Sequence, residues 1–286
     1  MRRTVSAVAA LALTGLASVC STTDLRSEHE YVAAVIAADR EARPFAPATA
    51  VISSLDLAGA YRIQRELVRR RLASGDRIAG FKSGLMSASS LADRKAAEPL
   101  VGVLFTSGNY ESGSSVDLCK YRLPALEMKL GFVFKSAVRR RLRSIEELEQ
   151  RIANVQPVIE LPDIAYANPT TYRALDMVAA NISSAKFVRG AAHEPQALDL
   201  DAIQISIERD GRELTRGVGK QSLDGQWSSL LVVVNIIVAN GGQIRPGQIV
   251  VTGKIGDKKD VHPGRYRADY GPLGIADFQI KSCDSS

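Results

Sequence analysis

Residues 121–134, YRLPALEMKLGFVF, constrain this chain more than any other stretch. A strand repeats every two residues, so Leu126, Met128, Leu130, Phe132 and Phe134 share one face, and Glu127, Lys129, Gly131 and Val133 the other. One face is wholly apolar, which calls for burial, while the other sets an acid beside a base. Taken alone, the pattern describes a half-buried strand with a solvated polar face. Neighbouring segments point instead to the floor of a pocket. PVIELPD (157–163) is a second apolar run carrying one carboxylate, Glu160. GFKSGLMS (80–87) puts Lys82 in a turn rich in small residues. NISSAKFVRG (181–190) offers Asn181, Ser183 and Ser184.

The chain has 286 residues, enough for a sizeable core built as one large domain or as a large and a small one. Its hydrophobic content of 45% and charged content of 24% are those of an ordinary globular protein. A net charge of +6 gives weak support for an anionic partner and little for nucleic acid. The one dense basic run, Arg139 to Arg141 with Arg143, lacks the interleaved aromatics that base stacking needs and fits a solvated helix start. At the N-terminus, Arg2 and Arg3 precede an apolar segment from Val5 to Val19. That segment is too short for a membrane span and suits a secretory signal. Cys20, in LASVCS, resembles a lipoprotein cleavage site, with Val19 where a small residue is preferred; ordinary cleavage and no cleavage are the alternatives. Residues 1–20 are thus expected to be a signal segment, and the protein to be exported, periplasmic or lipid-anchored. A lipid at Cys20 would be its only link to a membrane. Cys119 and Cys283 either pair in an oxidising compartment or stand as two unrelated buried thiols.

In chain order, Ser21 to Glu30 reads as a flexible polar leader and Tyr31 to Glu41 as a helix ended by Pro44 and Pro47. Ser54 is a plausible N-cap for a helix over Leu57 to Leu72 that turns Tyr61, Ile63, Leu67 and Val68 inward and stops at Gly75. Ile78 to Ser87 is a strand leading into a loop. Ser144 caps a helix to Asn154, with Glu147 at the capping-box position. Asp210-Gly211 turns a hairpin within 198–214. Asp224 to Asn240 is a long helix burying Trp227, Leu231, Val234 and Ile237. A turn and strand follow over Arg245 to Gly253, and a Gly-bearing strand segment over Asp269 to Ile280. Short strands outnumber helices, which argues an α+β fold. His29, His193 and His262 have no metal-binding spacing, and no P-loop, dinucleotide fingerprint or nucleophile elbow is present.

Several motifs occur together and in order: Ala60-Tyr61 with Gln64, the GFK turn ending Gly84-Leu85-Met86-Ser87, Glu98-Pro99 before Gly102, Glu127 and Glu160 on successive strands, and RPGQIVVTG at 245–253. In this order they resemble the 2-keto-4-pentenoate hydratase and oxalocrotonate decarboxylase group of the fumarylacetoacetate hydrolase superfamily, from about Tyr31 to about Lys281. The resemblance implies a barrel-like mixed sheet with flanking helices and a small N-terminal α/β portion, divided at 21–105 and 106–286. It implies hydration- or decarboxylation-type lyase chemistry on a small anionic 2-keto acid, and self-association. It also implies a divalent ion, Mg²⁺ or Mn²⁺, held by an acid-x-acid pair and a third acid. Mapped by motif, Glu127 and Glu160 match two of those ligands. Lys82, Lys129, Glu98 and Ser183 fall at catalytic positions, and Asn181, Ser184 and Thr252 at substrate-binding ones.

Lys129 stands where the resemblance calls for the second acid. A carboxylate about 4 Å from a doubly charged ion is worth about 8 kcal/mol at an effective dielectric near 20, and reversing its sign turns attraction into repulsion of similar size. An incomplete site, with no metal cofactor, is therefore expected. The same swap suggests two alternatives: the Lys129 ammonium takes the place of the ion between Glu127 and Glu160, or it forms a structural salt bridge on the remains of a site. Met86 replaces a threonine of the family pattern, Ala180 an aspartate and Gln248 an acid. Three readings stay open: a hydratase-type enzyme, an exported non-catalytic relative that binds a small acid or a partner protein, and an enzyme with chemistry rewritten around Lys129 or Lys82.

Overall fold

The computed structural model describes residues 22–195 and 198–283; the expected signal segment with Cys20 lies outside the described residues. Its helices are α1 (Thr22–Arg40), α2 (Ala48–Val51), α3 (Leu57–Ala73), α4 (Ala88–Arg94), α5 (Ile145–Glu149), α6 (Ala174–Ala179) and α7 (Gln226–Ala239). Its strands are β1 (Ile78–Gly84), β2 (Leu100–Phe105), β3 (Asn109–Glu111), β4 (Ser114–Val116), β5 (Ala125–Phe134), β6 (Ile152–Leu161), β7 (Lys186–Arg189), β8 (Gln204–Arg209), β9 (Arg212–Val218), β10 (Ile249–Val251), β11 (Ile255–Asp260), β12 (Gly264–Asp269) and β13 (Ile275–Ile280). The fold is mixed α+β. Eight strands form a curled sheet in the order β2-β1-β10-β5-β6-β7-β3, with β11 also pairing on β5. Five more form a second sheet, β4-β13-β12-β8-β9.

The alternation in β5 does what its pattern requires. Leu126, Met128, Leu130, Phe132 and Phe134 are fully buried, a contribution of roughly 10 kcal/mol for five large side chains. They share a core with Leu230, Val233, Val234 and Ile237 of α7, and Trp227 lies 5.3 Å from the Phe132 ring. The helix is apolar nearly all round because it is covered on more than one side. On the opposite face of β5, Gly131 leaves room for a small apolar cluster. A Cβ there would come within 2.7 Å of Val158, and the space is filled by Leu104, Val158, Phe187, Ile249 and Val251. Polarity on that face is thereby confined to Glu127 and Lys129.

Several expected boundaries shift. Residues 22–30 are not a leader: α1 begins at Thr22, and Glu28 is buried against α3, where Arg62 Nη2 holds it at 2.6 Å. Asp56, not Ser54, caps α3, its carboxylate accepting from the Gly59 amide at 2.7 Å. Ser144 caps α5 as expected, but the helix lasts one turn because Ile152 onward pairs with β5. The C-terminal segment is two strands, β12 and β13, split by a turn at Gly271–Leu273. Asp210 and Gly211, both with positive φ, turn the β8–β9 hairpin. Cys119 and Cys283 form a disulfide. Among the described residues no helix is long and apolar enough to cross a membrane.

Candidate active site

β5 and β6 run antiparallel with Glu127 directly opposite Glu160. Facing carboxylates repel. Lys129, two residues along the same face of β5, resolves the conflict: its Nζ lies 3.1 Å from Glu127 Oε2 and 2.7 Å from Glu160 Oε2, and donates to the Ser83 carbonyl at 3.2 Å. Lys82 arrives from β1, ion-pairs with Glu160 Oε1 and donates to the Ile182 carbonyl at 3.0 Å. Two ammoniums and two carboxylates thus form a quartet. Lys82, Lys129 and Glu160 are buried, while the Glu127 side chain is 18% exposed and is the carboxylate that faces outward.

Each member sets the protonation of the next. Burial alone would lower the Lys129 pKa, but the Glu160 and then the Glu127 charge outweigh it and hold the ammonium above its usual range. Burial would raise Glu127, but Lys129 and then Lys82 hold it below the ordinary carboxylate value. Lys82 is pulled down by burial, against the attraction of Glu160 and with the help of Lys129. One lysine is therefore a fixed cation, and the other is the group whose proton is easier to remove.

The loop beside Lys82 is strained. Asn181, Ile182 and Ser183 all sit at φ +52°, a left-handed turn that a β-branched isoleucine adopts only when its surroundings force it. The turn delivers the Ile182 carbonyl to Lys82 and the Ser183 carbonyl to the Asp163 amide at 3.1 Å.

A cavity of about 580 Å³ opens over the quartet. Lys82, Lys129, Glu127 and Ser183 line it, as do Met86, Arg94, Tyr172, Lys254 and Lys258. The remaining expected site residues are elsewhere. Glu98 is exposed, after α4, and does not reach the cavity. Asn181 is spent on the backbone: its amide donates to the Val103 carbonyl at 2.9 Å and accepts from the Val103 N–H at 2.7 Å. β2 is a sheet edge, and Asn181 there acts as a substitute strand. Ser184 donates to the same Val103 carbonyl at 2.8 Å. The Thr252 hydroxyl lies 2.7 Å from Gln226 Oε1 and 3.2 Å from the Leu130 carbonyl, tying α7 to the end of β10. Asn181, Ser184 and Thr252 brace the site from behind. Sequence reasoning missed Arg94 and Tyr172. Arg94 reads as an ordinary basic residue in the last turn of a helix, and Tyr172 follows a turn with no motif around it.

No family model matches this chain. It is 29% identical over 211 residues to the 4-oxalocrotonate decarboxylase of Pseudomonas sp. (strain CF600), covering 73% of this chain and 80% of the relative. It is 26% identical over 223 residues to the 2-keto-4-pentenoate hydratase of Paraburkholderia xenovorans (strain LB400), covering 78% and 82%. The 4-oxalocrotonate decarboxylase of Pseudomonas putida G7, solved in complex with magnesium and adipate, superposes with a TM-score of 0.85 at 25% identity over 90% of this chain and 98% of that one. A fumarylacetoacetate hydrolase family protein of Yersinia pestis CO92 shares the fold alone, at a TM-score of 0.53 and 10% identity.

Proposed function

Because the chain belongs to the 2-keto-4-pentenoate hydratase and oxalocrotonate decarboxylase group of the fumarylacetoacetate hydrolase superfamily, we propose that it acts on a small 2-keto acid by hydration- or decarboxylation-type lyase chemistry, in a site whose cation is a lysine. The observation that carries this reading is the position of Lys129 Nζ, within 3.1 Å of Glu127 and 2.7 Å of Glu160. A divalent ion needs oxygen donors converging on one point. Here that point holds an ammonium, and the donors around it are already neutralised. Among the described residues no three His, Cys, Asp or Glu side chains are grouped to hold a metal. The residues present do not fit the magnesium that the Pseudomonas putida relative carries.

Both chemistries build negative charge on the 2-oxo oxygen as a proton moves or a carbon–carbon bond breaks, and an N–H donor that can pass a proton to that oxygen lowers the barrier. Lys82 is the group for this task. It lines the cavity, has two partners for three N–H donors, and its pKa is held down, which suits a residue that gives and recovers a proton. Glu127 faces the same space as a carboxylate, and Ser183 lines it as well. The test is hydration of 2-hydroxypenta-2,4-dienoate by the purified protein with and without added Mg²⁺. Turnover that withstands a chelator and disappears in Lys82→Met is the expected result; turnover that requires Mg²⁺ overturns the reading.

One observation favours a second reading, binding without turnover. All three Lys129 donors are taken, by Glu127, Glu160 and the Ser83 carbonyl, so this cation has nothing left to offer a substrate. Saturable acid binding with no turnover under any metal condition selects it. The Cys119–Cys283 pair supports export to an oxidising compartment. Mass measurement of the mature protein from fractionated cells tests export and the lipid at Cys20 together.

A further inference from the structure

Arg94 supplies a guanidinium to the cavity wall. It ends α4, its guanidinium carbon lies 3.9 Å over the Tyr172 ring, and its Nη1 donates to the Tyr172 carbonyl at 2.9 Å. Both contacts are to one residue and neither cancels the charge. Among the described residues no carboxylate pairs with it, in contrast to Arg122, which holds both Asp39 and Asp163. A half-buried cation stacked on a ring and left without an acid is costly unless something else arrives to pair with it. Stacking fixes the plane of the fork, and Nε and Nη2 keep their donors, the geometry that grips a carboxylate with two parallel hydrogen bonds.

Charge balance says how many carboxylates the cavity takes. Lys82, Lys129, Glu127 and Glu160 sum to zero, so the quartet offers no net attraction to an anion. Lys254, Lys258, Asp93 and Asp257 also line the cavity, and their charges sum to zero. One uncompensated fixed charge remains. Tyr172 connects it to the quartet: burial raises the Tyr172 pKa, the Arg94 charge lowers it and the Glu127 charge raises it, so the phenol lies within the field of both.

We propose that Arg94 binds the carboxylate of the substrate, that Tyr172 positions it, and that the cavity is built for a 2-keto acid carrying one carboxylate. This rests on the 2-keto acid reading of the site.

Calorimetric titration of the full chain with 2-oxopentanoate, and with 2-oxopentanamide as the uncharged probe, tests the assignment separately from turnover. Arg94→Gln is expected to weaken the acid by at least about tenfold, as loss of a charge-assisted pair does, and to leave the amide unchanged. Arg94→Lys restores part of the loss, because it returns the charge without the fork. Tyr172→Leu costs a smaller factor while its melting temperature confirms the fold. Equal acid binding by wild type and Arg94→Gln overturns the proposal, as does a parallel loss of acid and amide. Tight acid binding that depends on Arg94, in a protein that turns over no dienoate, upholds the assignment while the lyase reading falls. A wild type that binds neither probe removes both.

Discussion

Two buried polar regions lie within a few residues of each other and are built on opposite principles. In the brace formed by Asn181, Ser184, Thr252 and Gln226, each polar side chain reaches a backbone group or another member, and the hydrogen-bonding capacity is used up inside the protein. In the quartet, side chain meets side chain across three strands, charges cancel in pairs, and three members, Lys82, Lys129 and Glu127, line a cavity. Burial and polarity are the same in both. What separates a prop from a reactive site is where the unspent donors and acceptors point.

The largest effect that breaks the comparison is Lys129→Ala. It leaves Glu127 and Glu160 facing each other with Lys82 as the only counter-charge, and a broken buried pair costs about 3–5 kcal/mol; urea unfolding measures it. Lys129→Glu should be as unstable without divalent ions and should regain stability when Mg²⁺ is added. Failure to regain it counts against Glu127 and Glu160 as a remnant ligand set. Asn181→Ala comes next, at about 1–3 kcal/mol, since it strands the Val103 N–H at a sheet edge and leaves the Val103 carbonyl to Ser184 alone. Its loss should appear in stability and not in acid affinity.

Glu127→Gln gives a smaller, pH-dependent change of at most about 1 kcal/mol, because this member is partly exposed. The folded-state pKa of Glu127 lies below its unfolded value of about 4.3. Its contribution is therefore fully present above that pH and lost as pH falls through the folded value. The stability gap between wild type and variant should be constant near neutrality and close in acid. Glu98→Ala should change neither stability, within about 0.5 kcal/mol, nor affinity for 2-oxopentanoate. A marked loss of affinity would return Glu98 to the site.

The strand face of Glu127 and Lys129 could be read from alternation alone, because a period of two leaves no freedom about which residues share a side. The approach of Glu160 followed from a motif, and the bridging ammonium from one reversed charge. Lys82 was named from its turn, but nothing local says that β10 inserts between β1 and β5 and lets it reach Glu160. Asn181, Ser184 and Thr252 were misplaced for the converse reason. Their order along the chain fits a site, while their partners, Val103 and Gln226, are fixed by tertiary packing. Helix limits failed where tertiary contacts overrode local signals: Glu28 is drawn into α1 by Arg62, and Ile152 is taken from α5 by the sheet. Arg94 and Tyr172 meet across 78 residues and carry no local signature.

The second sheet has its own lesson, in the order of its strands. β13, the last strand among the described residues, lies between β4 and β12, parallel to one and antiparallel to the other. Without β13, β4 has no strand partner in this sheet and the edge of β12 away from β8 lies open. β4 therefore joins this sheet only through a strand distant from it in sequence. The bond from Cys283 to Cys119 then fastens the segment after β13 to the segment leading into β5 and holds that long-range pairing closed.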